Sequence, residues 1–330
     1  MEDRGIKTKM ELKVAILIFA VTILSTVLVT EHLIRKFKKK GYVVKDMYKK
    51  NKPKIPTMGG LAIMSGLMIS LVASQLLLEE IDLGRLLLLY FIVIVYGTFG
   101  LLDDLIDIGR KMKVIAPFFM ALPIALVVTD TSIAFGFTTL EIGLFALYIT
   151  SPIYIMVVSN LLNMHEGYNG LGTGVSILLM LFIGAKLILV GDADLLPYLF
   201  PILAVAIAFM YYNRYPSVIF LGNSGTLLLG SAVGALLVFF NMELFGVVIL
   251  LPHIVNFLLW CLWVVLMKLW PEKYPHIKWA KLREDKTIEA PNWLTIKYIV
   301  AKLFRVKEWQ AILICYFITF VFGVVGLVWF

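Results

Sequence analysis

The chain has 330 residues, 61% hydrophobic and only 16% charged, with a mean hydropathy of +0.92 and a formal net charge of +8. Soluble domains carry about 25% charged residues, so one water-soluble core is excluded. The fold class is all-α, a polytopic integral membrane protein with a single domain over 1–330. Apolar runs of roughly 17–25 residues mark spanning helices, and they predict about ten, at about 12–30, 57–78, 84–102, 114–129, 142–162, 174–190, 195–212, 225–241, 246–268 and 309–329. The first, Val14–Thr30, is too long for a signal h-region and lacks a cleavage site after it, so it reads as a span. The fourth is short, and 130–141 beyond it is expected to form a small hairpin outside the bilayer. Cys261 and Cys315 fall inside apolar runs and read as packing thiols rather than a disulfide or metal pair.

Orientation follows from lysine and arginine in the loops. Loop 31–56 holds ten of them and segment 269–308 nine, whereas the alternate loops hold Glu79, Glu80, Asp82, Asp192, Asp194 and Glu243 with Arg85 as their base. The expected topology is a multi-pass cell-membrane protein with both termini outside and the basic loops in the cytoplasm. Every polar cluster, at 52–60, 103–113, 160–173, 213–226 and 269–308, then falls on the cytoplasmic face. Attraction to anionic membrane lipids accounts for the bases, but not for the acids and amides among them. Nothing points to nucleic acid.

Five stretches offer chemistry. Pro56-Thr57-Met58-Gly59-Gly60 opens the second span after the basic loop, and Thr57 is a substrate-binding candidate. Asp103, Asp104 and Asp107 end the third span, with Asp104 and Asp107 at i and i+3 on one expected face. Carboxylates at a membrane surface suit Mg²⁺, which takes oxygen ligands and keeps waters and phosphates. The plain alternative is helix-end acids pairing with Arg110 or Lys111 in water. Lys113 can reach a phosphate beside such a metal, or simply snorkel to the interface. The stretch Asn160–Leu171 sets Asn163, His165, Glu166 and Asn169 among glycines that let a ligand approach the backbone. Asn side chains there both donate and accept, which suits a nucleobase edge or a sugar amide. Phe220–Thr226 places Gly222, Asn223 and Ser224 at a helix N-terminus, favourable for phosphate or for simple capping. His276, in the last polar segment, is a further candidate.

Together these motifs resemble the polyprenyl-phosphate N-acetylhexosamine-1-phosphate transferase family, glycosyltransferase family 4. The PTMGG, DDxxD-type, NxxNxxxGxNGL and FxGD[ST]-type motifs fall in matching order over nearly the whole chain. The resemblance implies ten spans and transfer of a sugar-1-phosphate, most simply GlcNAc-1-phosphate, from a UDP-sugar to a polyprenyl or dolichyl phosphate with release of UMP. It implies catalytic roles for Asp103, Asp104, Lys113 and His276. Thr57, Asn163, Glu166, Asn169, Gly170, Leu171 and Ser224 would bind substrate. Asp103, Asp104, Asn163 and Asn223 would hold Mg²⁺, or Mn²⁺ in its place. A homodimer is a further implication.

Two departures qualify this. The family's FGD aspartate is Asn223 here, which removes one negative charge from the metal site. The segment around His276 lacks the triple histidine of the peptidoglycan branch, so the archaeal and eukaryotic GlcNAc branch is the closer likeness. UDP-MurNAc-pentapeptide remains the alternative donor. A transporter is the reading from another class, but transporters place polar groups near the midplane, and these span interiors carry almost none: Lys186 lies nearer the outer end and the acids sit at helix ends. A groove for the prenyl tail is expected along the fifth and ninth spans.

Overall fold

The computed structural model describes residues 2–77, 82–109, 111–128, 132–134, 139–141, 143–274 and 279–330. Its helices in chain order are α1 (Glu2–Lys40), α2 (Gly60–Leu77), α3 (Leu83–Ile106), α4 (Met112–Ala121), α5 (Ser151–His165), α6 (Leu171–Val190), α7 (Leu196–Asn213), α8 (Gly222–Phe239), α9 (Glu243–Ile249), α10 (Leu251–Leu269), α11 (Ile296–Phe304) and α12 (Glu308–Trp329). Three short antiparallel hairpins join them, pairing 43–45 with 54–56, 132–134 with 139–141 and 281–282 with 288–289. The second is the hairpin expected at 130–141.

Among the described residues nine helices are long and apolar enough to cross a membrane. The run expected as the fourth span falls short. It forms α4 and a 3-10 turn to Leu126, with Pro117 inside the helix and Pro123 at the start of the turn. Ten residues of α-helix rise only about 15 Å, and each proline removes a ladder N–H. The ninth expected span is also divided. Its α9 ends at Ile249, and α10 restarts with Pro252 in its first turn.

Past that break, His253 and Asn256 are buried in the first turns of α10. Both pack against residues from other segments of the chain. The His253 ring centroid is 4.6 Å from that of His165, and Asn256 Oδ1 accepts the Ile296 N–H at 2.9 Å. Beyond Asn256 the helix leaves the bundle. Val255, Leu258, Leu262, Val265 and Leu269 are exposed, an apolar face suited to lipid.

The core sits on α8, which is buried along nearly its whole length from Ser224 to Val238. Its sequence Gly222–Phe239 is rich in Gly, Ser and Ala, and small residues let helix backbones approach where no water drives association. Helices α3 and α5 pack closely on it, and Ser159 Oγ donates to the Leu227 carbonyl at 3.1 Å. Contacts among the loops gather the polar clusters at one end of the bundle: Lys49 with Glu308, Asn169 with Asp46, and Lys113 with Asp103. At the opposite end Lys186 donates to the Phe330 carbonyl at 2.6 Å.

Candidate active site

The last turn of α3 delivers two carboxylates to the first turn of α8. Asp104 Oδ1 accepts the Asn223 N–H at 2.8 Å and its Oδ2 the Ser224 N–H at 3.0 Å. Those are donors that no intrahelical carbonyl serves, so Asp104 caps α8 from a distant part of the chain. Asp103, 4% exposed, is more crowded. Its Oδ1 accepts the Ile108 N–H at 3.0 Å, while its Oδ2 receives both Asn223 Nδ2 at 2.7 Å and Lys113 Nζ at 2.8 Å. Asp107 does not share a face with Asp104 as the spacing suggested. Its backbone leaves the helix at φ 48°, and its side chain is 91% exposed, 3.7 Å from Lys113.

The approach depends on backbone at close quarters. Gly222 has φ +72°, and a Cβ there would lie 2.6 Å from Asp104 Oδ2. The 56–60 stretch forms a strap beside it: Phe220 N–H donates to the Pro56 carbonyl at 2.8 Å, and the Gly59 and Gly60 N–H groups donate to Phe220 and Leu221 carbonyls at 2.9 and 3.1 Å. Thr57 sits on this strap, with its N–H on the Tyr42 carbonyl at 3.3 Å. Asn163 reaches the cluster from α5, accepting from Thr226 Oγ1 at 2.9 Å. One turn earlier, Asn160 Nδ2 holds the Lys113 carbonyl at 3.3 Å and so fixes the start of α4. Ser224 is fully buried, its hydroxyl toward the Leu221 carbonyl at 3.4 Å.

The structure therefore brings Asp103, Asp104, Lys113, Asn163, Asn223 and Ser224 together, with Thr57 adjacent. It turns the rest of the Asn160–Leu171 stretch inward. Glu166 accepts the Gly172 N–H in the first turn of α6, and Lys297 Nζ holds the Glu166 carbonyl at 2.8 Å. Gly170 has φ +80° and gives its carbonyl to the Tyr316 hydroxyl at 2.6 Å, and Leu171 is fully buried. Asn169, 4% exposed, bonds Glu308, Asp46 and Ser217. His276 lies outside the described residues. Lys297, Glu308 and Asp46 were not singled out in the sequence. The signal available was an acid in a strongly basic loop and another opening an apolar run.

Burial pushes the Glu166 carboxyl up from 4.5 to about 7, against the pull of the Gly172 N–H and Lys297. Its folded pKa thus exceeds the unfolded one, so the folded state binds more protons between these values. The stabilisation this protonation gives is present below about pH 4.5 and is lost as pH rises toward about 7. Glu166→Gln, which keeps an acceptor for Gly172 and cannot ionise, is expected to flatten the fall in unfolding temperature between pH 5 and pH 8. Parallel curves for the two proteins would contradict it.

Among the described residues no group of three His, Cys, Asp or Glu side chains converges. The cluster's donors are all oxygen: two carboxylates and the amides of Asn163 and Asn223. That set fits a hard cation that takes its remaining ligands from water and substrate phosphate.

Residues 86–241 match the profile described as glycosyl transferase family 4. The chain is 29% identical over 317 residues, 91% of each chain, to a Saccharolobus solfataricus protein provisionally named a UDP-N-acetylglucosamine–dolichyl-phosphate N-acetylglucosaminephosphotransferase. It is 29% identical over 246 residues, 70% of this chain and 65% of the relative, to a Bacillus subtilis protein provisionally named an undecaprenyl-phosphate N-acetylglucosaminyl 1-phosphate transferase. Similarity extends to a phospho-N-acetylmuramoyl-pentapeptide-transferase of Clostridium beijerinckii, 26% over 208 residues, 59% of this chain and 63% of that one.

Proposed function

We propose that this chain is a member of glycosyl transferase family 4 that transfers GlcNAc-1-phosphate from UDP-GlcNAc to a membrane polyprenyl or dolichyl phosphate and releases UMP. The observation that carries the reading is the Asp103–Lys113–Asn223 contact set at the end of an apolar helix bundle. The relatives matched over most of this chain are named for GlcNAc-1-phosphate transfer, which favours that donor over UDP-MurNAc-pentapeptide. The lysine-rich loops favour a cytoplasmic site, where nucleotide sugars are dissolved.

An oxygen of the acceptor phosphate attacks the sugar-bearing phosphorus of the donor. One O–P bond forms, the bond from that phosphorus to the bridging oxygen breaks, and the electron pair departs on UMP. A phosphomonoester has its second pKa near 6, so the acceptor is mostly dianionic at neutral pH. No strong base is then required, and direct attack suffices. Lys113 brings fixed positive charge to the oxygens where negative charge gathers, in a site that needs no reorganisation at the moment of reaction. Asp103 holds that ammonium in place, and Asp104 holds the α8 N-terminus that carries Asn223. Asp103 and Asp104, with the Asn163 and Asn223 amide oxygens, would hold Mg²⁺, which would supply charge neutralisation of the diphosphate. The asymmetric placement of polar groups favours this chemistry over transport, and Lys186, at the other end of the bundle, is tied to the Phe330 carbonyl.

The test is incubation of purified protein with Mg²⁺, dolichyl phosphate and a panel of UDP-sugars. UMP release with UDP-GlcNAc, lost on chelation and in Asp104→Asn, is the expected result. Release with another donor corrects the substrate. Absence of release from folded protein with every donor and several prenyl phosphates contradicts the reading.

A further inference from the structure

Four stretches distant in sequence meet beneath the loop after α5. Glu308 opens α12 and is 2% exposed. Its Oε1 accepts both the backbone N–H and the Nδ2 of Asn169 at 2.8 Å, and its Oε2 accepts Lys49 Nζ at 2.6 Å. Asp46, 3% exposed, faces the same groups, with Oδ2 at 3.3 Å from Lys49 Nζ and 3.2 Å from Asn169 Nδ2. The two carboxylates therefore decide which way the Asn169 amide points. Its Nδ2 faces the anions, and Oδ1 is left to accept the Ser217 N–H at 2.7 Å. Turned over, the amide would set oxygen against two carboxylates and N–H against N–H.

Ser217 belongs to the stretch 214–221 between α7 and α8, which is held by cross-links rather than by a helical ladder. Val218 N–H donates to the Tyr212 carbonyl at 2.9 Å, Asn213 Nδ2 to the Ile219 carbonyl at 2.9 Å, and Phe220 N–H to the Pro56 carbonyl at 2.8 Å. At its far end Gly222 and Asn223 meet Asp104 and Asp103. At its near end Tyr215, Pro216 and Ser217 form one wall of a cleft of about 470 Å³, with Lys50, Lys286 and Lys307 also lining it. Asp46, Lys49 and Glu308 border the same cleft, and Lys50, Lys286 and Lys307 give its rim the positive charge that draws a water-soluble anion.

We propose that Glu308 is a positioning residue for the nucleotide-sugar donor, acting through Asn169 on the 214–223 stretch; this rests on the transferase reading above. Glu308 touches no reacting atom. It fixes the Asn169 amide, the amide fixes Ser217, and Ser217 sets one wall of the cleft and the approach to Asn223. The donor side of the site depends on this chain of contacts, and the acceptor side does not.

The experiment is steady-state kinetics of the full-length protein in nanodiscs, varying UDP-GlcNAc and dolichyl phosphate separately. Glu308→Gln keeps an oxygen for Asn169 but removes the charge that holds Lys49. It is expected to raise the donor KM about tenfold, with kcat within about threefold and the acceptor KM unchanged. Asn169→Ala is expected to do the same, and the double variant to be no worse than the worse single, because both act on one contact chain. Asp46→Asn shifts donor KM in the same direction and serves if Glu308→Gln does not fold. Additive losses, an equal rise in acceptor KM, or a lowered unfolding temperature with wild-type donor KM would overturn the proposal. Wild-type turnover with unaltered donor KM in both carboxylate variants sinks this inference alone. A wild-type protein that transfers nothing sinks the transferase reading, and this inference with it.

Discussion

Asp103→Asn and Lys113→Met are each expected to lower kcat by about 10²–10³-fold, the range seen when one preorganised electrostatic group is removed from a site. The two side chains share one ion pair at 2.8 Å, with Asp103 buried to 4% exposure and Lys113 left 28% exposed. Lys113 alone can reach outward to a phosphate, and Asp103 keeps it from swinging into water. Removing either member disables the same device. The double variant is therefore expected to lose no more than the worse single variant, as groups acting as a unit do. Asp107→Asn gives the contrast. Its side chain is 91% exposed and 3.7 Å from Lys113, and a solvent-screened pair of that kind contributes little. Activity within about twofold of wild type is expected there. Multiplicative losses in the double variant, or a large loss at Asp107, would contradict the assignment.

Gly60→Ala and Gly100→Ala are expected to carry the largest stability losses of any single methyl addition in the polar half of the bundle. A Cβ on Gly60 would press into the backbone of Ser224 and Gly225, and one on Gly100 into the backbone of Asn223. Backbone cannot rotate away as a side chain can. Overpacking of this kind costs about 1–3 kcal/mol, and both sites belong at the upper end. The same shift moves Asn223 relative to Asp103, so activity falls along with stability. Gly184→Ala is the matched control in α6, where a Cβ meets only Leu196 and Leu199 side chains at 3.6 and 3.9 Å. It is expected to be neutral or to stabilise by up to about 1 kcal/mol, the helical preference of alanine over glycine. Thermal unfolding in detergent reads all three, and a loss at Gly184 equal to that at Gly60 would contradict the packing account.

Much of this site was legible before the fold. Acids and amides at the ends of apolar runs are expensive, so Asp103, Asp104 and Asn163 stood out, and they meet at α8. The glycines of Pro56–Gly60 were visible too, but their use as a strap hydrogen-bonded to Phe220 and Leu221 needs the third dimension. Glu166 and Asn169 show where sequence runs out. A loop rich in functional groups announces chemistry, yet it does not say which groups turn toward ligand and which cap a helix or brace a neighbour. Asp46, Lys297 and Glu308 were hidden for the opposite reason. Lysines in a basic loop read as lipid attraction, and an acid ahead of an apolar run reads as an ordinary helix start. The span count failed locally, because hydropathy sees Met112–Leu126 as apolar without sensing how Pro117 and Pro123 break it.

The most direct measurement uses UDP-GlcNAc labelled with ³²P on the sugar-bearing phosphate, incubated with dolichyl phosphate and the purified protein. Transfer of sugar-1-phosphate predicts that the label moves into the organic phase, bound to lipid, while unlabelled UMP stays in water. Label retained in water as UDP, with sugar alone on the lipid, would contradict the account at its centre.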